Sequence, residues 1–156
     1  PHPLCQQPAP PETNPLSVHD ALPIFDWTAE GDDGTVDRPF GERPLGYVVY
    51  TAGGLMITTI SRRDRVPIGG DLLSAPVGAQ ASSFSTFIAY SGAFRVEGED
   101  VVHRVEMSMY PDWIGGEQRR HVELHRSGAR LTLSTDPLPA GGRTLRHRLD
   151  WERVGG

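Results

Sequence analysis

His103, Gln118 and Arg120 are the residues whose types and spacing best suit chemistry in this 156-residue chain. Strict alternation over 101–109 puts Val101, His103, Val105, Met107 and Met109 on one strand face, with Val102, Arg104, Glu106 and Ser108 on the other. In the next segment Gln118, Arg120, Val122 and Leu124 alternate with Glu117, Arg119, His121, Glu123 and His125. The apolar members mark the inward set, so an imidazole, a carboxamide and a guanidinium face an interior. Polar groups there need partners, which suggests a hydrated or ligand-filled lumen.

An imidazole titrates near neutral pH and can orient a ligand or act as general base. A guanidinium can receive a carboxylate or enolate oxygen through a forked contact. The plain alternatives are a buried His103 bonded to a neighbouring strand's side chain, and an ion pair of Arg120 with Glu106 or Asp112. Tyr50 and Tyr90 would bring hydroxyls to a cavity wall, and Met107 an adaptable apolar surface. Trp113, in a YPDWIGG turn, would plug a barrel end or stack on a ligand. For the tyrosines and Met107 ordinary core packing is the alternative.

Other chemistries are not signalled. The single cysteine, Cys5, leaves no internal disulfide framework and no cysteine-based zinc site. His121 and His125 share a strand face with about 13 Å between Cα atoms, too far apart for one metal. There is no phosphate-cradling glycine loop before a helix and no Gly-x-Ser-x-Gly elbow, and neither a metal nor a cofactor is expected. The net charge is −5, all fifteen basic residues being arginine. Its short basic runs are interleaved with acidic or apolar residues, so no nucleic-acid stripe is expected. No apolar run reaches the roughly 20 residues of a membrane span, and a basic-then-apolar secretory layout is missing. The expected setting is cytoplasmic, with no membrane partner.

The elements that must position these residues are strands. Period-two runs cut by turn signals succeed one another: LGYVVYT and LMITTIS around AGG, FIAYSGAFRV and DVVHRVEMSMY around EGE, EQRRHVELH and RLTLST around RSGA, then RTLRHRLDWERV after PAGG. They predict an all-β fold, an antiparallel up-and-down barrel of about eight strands. The one long interruption, residues 62–86, leaves room for a short helix and for a segment that caps one barrel mouth.

The composition changes near residue 25. Seven of the fourteen prolines lie in residues 1–24, which lack alternation and read as a disordered leader. The stretch Leu16–Ile24 resembles a translated short-read sequencing adapter, CTT TCC CTA CAC GAC GCT CTT CCG ATC, apart from one base in the third codon. On that reading residues 1–24 are non-native, the domain runs over 25–156, and His2, Cys5, His19 and Asp20 leave the functional candidates. A natural flexible leader is the alternative.

Taken together, RPFGERPLGYVVYT, FIAYSGAF, VVHRVEMSMYPDWIGGEQRR and RLTLST resemble the bacterial and fungal lipocalin-like domain family, small calycin-type barrels of mostly unassigned function. The resemblance spans roughly Phe25 to Arg153. It implies a barrel with a central cavity but brings no established catalytic set. The family's opening Gly-x-Trp element is missing, so the first strand is expected to be truncated. A histidine pair often stands in the family where this chain has His103-Arg104, and an Asn where it has Asp112.

Three functions follow as expectations. The first is binding of a small, mainly hydrophobic molecule in the lumen, with His103, Gln118 and Arg120 as polar anchors and Tyr50, Tyr90, Met107 and Trp113 around it. The second is a cofactor-free isomerase or cyclase acting on a polyketide- or terpenoid-like substrate, in which His103 moves a proton and Arg120 stabilises an oxyanion. The third is a structural or partner-binding module with a filled core. A lumen above about 300 Å³ separates the first two from the third. The residues leave the oligomeric state open.

Overall fold

The computed structural model describes residues 21–71, 74–125 and 129–153. Alternating apolar residues form ten strands: β1 (Ala21–Gly31), β2 (Val36–Asp37), β3 (Leu45–Tyr50), β4 (Leu55–Ser61), β5 (Phe87–Glu97), β6 (Asp100–Ser108), β7 (Glu117–His125), β8 (Arg130–Ser134), β9 (Leu138–Ala140) and β10 (Arg143–Glu152). All pairings are antiparallel, in the order β1-β3-β4-β5-β6-β7-β8-β10, and β10 pairs back onto β1 to close an eight-stranded barrel. Closure removes the open edges that a flat sheet would leave. The short β2 and β9 extend β1 and β10 beyond the barrel wall.

The seam between β1 and β3 is short. Among the described residues Ala21, Leu22 and Pro23 pair across it, with Val49, Val48 and Tyr47. These residues fall in the segment that the composition assigns to the leader, yet they form the first part of β1. Leu22 and Ile24 are buried in the core with Val48, Tyr50 and Trp151. The register slips between Ile24 and Asp26, leaving Phe25 as a bulge and turning Trp27 and Ala29 inward.

A second bulge lies at Glu106. Ser91 faces Met107 but Gly92 faces Val105, so the interior set of β6 ends at Val105. Gly92 is required here, because a Cβ would collide with the Arg104 carbonyl and lie 2.8 Å from the Glu106 nitrogen. The bulge reverses the faces of everything after it, and Met107 is 67% exposed on the outside. The expectation that Met107 forms a lumen wall is therefore corrected: uninterrupted alternation fails at one unpaired residue.

The linker 62–86 does contain a helix, α1 (Val77–Ser85), but it has no buried residue. Among the described residues none of this linker lines the lumen. The predicted RSGA turn falls at 126–128, outside the described residues, apart from Ala129. No described helix is long and apolar enough to cross a membrane.

Candidate functional site

The barrel encloses a cavity of about 610 Å³. It opens toward the end where β4 finishes (Ile60), β5 begins (Ile88) and the β6–β7 connection carries Trp113. Leu133, Leu149 and Trp151 give its wall an apolar body, and Pro39 and Leu138 come from the loops at the rim. The volume and this lining match a small-molecule site.

His103 is not part of that wall. Its side chain is fully buried, with Nε2 2.8 Å from the Tyr50 hydroxyl and Nδ1 3.1 Å from the Tyr90 hydroxyl. Burial, with a smaller contribution from Arg120, lowers its pKa to about 3, so the ring is neutral at any ordinary pH. A neutral imidazole donates from one nitrogen and accepts at the other. Tyr50 is itself buried and has no second partner among the described residues; donating to Nε2 leaves no O–H unsatisfied. Nδ1–H then donates to Tyr90, whose own O–H is left to point elsewhere. Tyr90 lines the cavity; Tyr50 and His103 lie behind it. The two expectations that place His103 and Tyr50 against a ligand are corrected accordingly: both are spent on each other.

Gln118 and Arg120 do face the cavity, carried there by the inward alternation of β7. Arg120 donates to Gln118 Oε1 at 3.0 Å and to the Arg119 carbonyl at 2.8 Å. Among the described residues no carboxylate lies within ion-pairing distance of it, so the expected alternative of a pair with Glu106 or Asp112 is absent. The one carboxylate on the cavity rim among the described residues, Glu117, is engaged by Arg95 at 2.7 and 3.1 Å. Trp113 sits at the mouth with its ring edge-on to Tyr90, centroids 5.6 Å apart. It flanks the opening and leaves the cavity behind it empty of its own side chain.

Two lumen groups escape the sequence reading. His147 lines the cavity, and its Nδ1 accepts from Trp27 Nε1 at 3.2 Å. The nitrogen facing an indole N–H must be the acceptor, so the other carries the proton and His147 is a donor. Burial, and then Arg120, lower its pKa and keep it neutral. The signal was present: in β10 Leu145, His147, Leu149 and Trp151 share one face, by the rule that singled out His103. The second is Trp151, buried to 1% exposure, whose Nε1–H has no hydrogen-bond partner among the described residues. An unmet buried donor costs about 1–3 kcal/mol and is uncommon.

The lumen thus offers the Tyr90 O–H, the His147 N–H and the Arg120 guanidinium as donors, beside the Thr58 and Thr135 hydroxyls and the Gln118 amide. Among the described residues no cluster of His, Cys, Asp and Glu is arranged to hold a metal.

A family model described as a lipocalin-like domain matches residues 23–154. The chain is also 38% identical, over 95 residues, to the 4'-hydroxy-3'-methoxypropiophenone carrier protein of Aspergillus oryzae. That alignment takes in 55% of this chain and 84% of the relative.

Proposed function

The chain belongs to the lipocalin-like domain family, and from that premise we propose that it is a carrier whose lumen holds a small aryl ketone or a similar oxygen-bearing aromatic molecule. The observation that carries this reading is the cavity of about 610 Å³, apolar in its body and carrying the Arg120 guanidinium on its wall. A lumen filled by its own side chains would leave no such volume. The relative's printed ligand, a hydroxylated and methoxylated propiophenone, is an apolar ring bearing acceptor oxygens, which suits an apolar wall studded with donors. In this reading Trp113 covers the ring at the mouth, and Tyr90, Gln118 and Arg120 meet its oxygens.

The same inventory argues against proton abstraction by an isomerase or cyclase. His103 has both nitrogens bonded to tyrosines, and His147 turns a protonated nitrogen away from Trp27. A general base needs a free lone pair within reach of the substrate.

The test is native mass spectrometry of the protein offered 4'-hydroxy-3'-methoxypropiophenone. A one-to-one adduct is expected, lost in Ile88→Trp, which obstructs the mouth from a half-buried position. No adduct with the wild type, or an adduct unaffected in a folded Ile88→Trp variant, would reject the lumen as the site.

A further inference from the structure

Arg120 is the one arginine on the cavity wall among the described residues, and its charge is unmatched there. Seven other arginines are neutralised by carboxylates on the outer surface: Arg38 by Asp26, Arg62 by Asp64, Arg95 by Glu97 and Glu117, Arg119 by Glu97 and Asp100, Arg130 by Glu152, Arg143 by Asp37, and Arg148 by Glu123 and Asp150. Arg120 bonds instead to two neutral acceptors, the Gln118 amide and the Arg119 carbonyl. These hold the guanidinium in place without cancelling its charge. Its field reaches the neighbouring imidazoles, where it adds to burial in disfavouring protonation of His103 behind the wall and His147 on it. A positive charge at the wall of an apolar cavity is unfavourable unless an anion joins it.

The other polar groups on the wall point the same way. Tyr90 has an O–H to give and His147 an N–H. Glu117, the only carboxylate at the rim among the described residues, is drawn off by Arg95 and does not compete. Such a site rewards a ligand that carries negative charge and several acceptor oxygens.

Resting on the carrier reading above, we propose that the lumen selects the anionic form of its ligand, a para-acyl phenolate, with the negative charge paired with Arg120 and the remaining oxygens met by the donors of the wall. A para-acyl phenol suits this role because its carbonyl delocalises the phenolate charge across the ring. Both ends of the molecule then become strong acceptors. Ionisation needs only loss of the phenol proton to solvent as the anion enters; no bond in the protein is made or broken.

The experiment is a pH titration of 4'-hydroxy-3'-methoxypropiophenone, free and bound to the wild-type protein, followed by the long-wavelength absorbance of its phenolate. Binding is expected to lower the ligand's apparent pKa by about one unit or more, which is about tenfold tighter binding of the anion. Arg120→Gln should remove most of that shift and Arg120→Lys should retain part of it. The methyl ether 3',4'-dimethoxypropiophenone, which cannot ionise, should bind the wild type at least about tenfold more weakly at a pH above the free ligand's pKa. An unshifted pKa together with equal binding of the ether would overturn the anion inference and leave the carrier reading standing. Failure of both compounds to bind would overturn both readings. The wild-type titration decides the question even if an Arg120 variant does not fold.

Discussion

The Tyr50 hydroxyl lies 2.8 Å from Nε2 of His103, and this contact withdraws the histidine from the lumen. With Tyr90 on the other nitrogen, His103 ties β3, β5 and β6 together inside the barrel. His103→Leu should cost about 2–4 kcal/mol, because it orphans buried tyrosine hydroxyls. Thermal or urea unfolding reads that loss, while ligand affinity changes far less than stability.

The same residue sets an acid sensitivity. Its folded pKa, about 3, lies below the value near 6.5 of an unfolded histidine, so between them the unfolded chain binds the extra proton. Stability should therefore fall as pH drops below about 6.5, with this group contributing a slope of up to about 1.4 kcal/mol per pH unit. Urea midpoints measured in steps from pH 7 to pH 4 check the sign, and His103→Leu should flatten the curve.

His121 behaves in the opposite sense. On the outer face it bonds Asp136 at 2.9 Å and Asp100 at 2.7 Å, and these contacts raise its pKa. Its contribution is complete below the unfolded value and is lost as pH rises through the folded one. A neutral ring can donate to only one carboxylate, so at higher pH one of the two contacts is released. A histidine titration by NMR should place His121 above an ordinary histidine, and Asp136→Asn should bring it down.

Among the described residues, barrel closure between β1 and β3 rests on three residue pairs, all from 21–23. Removal of residues 1–24 should open that seam and expose strand edges on both sides. The melting temperature is expected to fall by roughly 10 °C or more, with loss of a sharp transition. A truncated chain that melts as the full one does would show that β1 closes the barrel without them.

Trp113 and Met107 separate lumen from surface. Trp113→Ala should weaken ligand binding by about tenfold through loss of an aromatic wall, whereas Met107→Gln should leave it unchanged, since that side chain points outward. Fluorescence or calorimetric titration of both variants distinguishes the two.

Strand count, hairpin order and the helix in the 62–86 linker were all legible, because alternation and turn residues carry them directly. Gln118 and Arg120 were legible for the same reason: β7 keeps its register throughout. Met107 was not, because a bulge is one unpaired residue whose position depends on the partner strand. His103 was found as an interior residue, but the partners that occupy it come from Tyr50, fifty-three residues away, and Tyr90. His147 needed only the same alternation in β10. Trp151 was beyond reach, since an unmet N–H is a property of packing and not of pattern.

The central claim, that the lumen is the binding site, is tested most directly by the indole N–H signals of the chain's three tryptophans in a 1H–15N spectrum. During titration with 4'-hydroxy-3'-methoxypropiophenone, the Trp151 and Trp113 indole signals should move together and saturate at one equivalent, as the ligand's ring comes to lie against two indoles that line the cavity. Binding that leaves both indole signals in place while outer-strand amides shift would contradict the account.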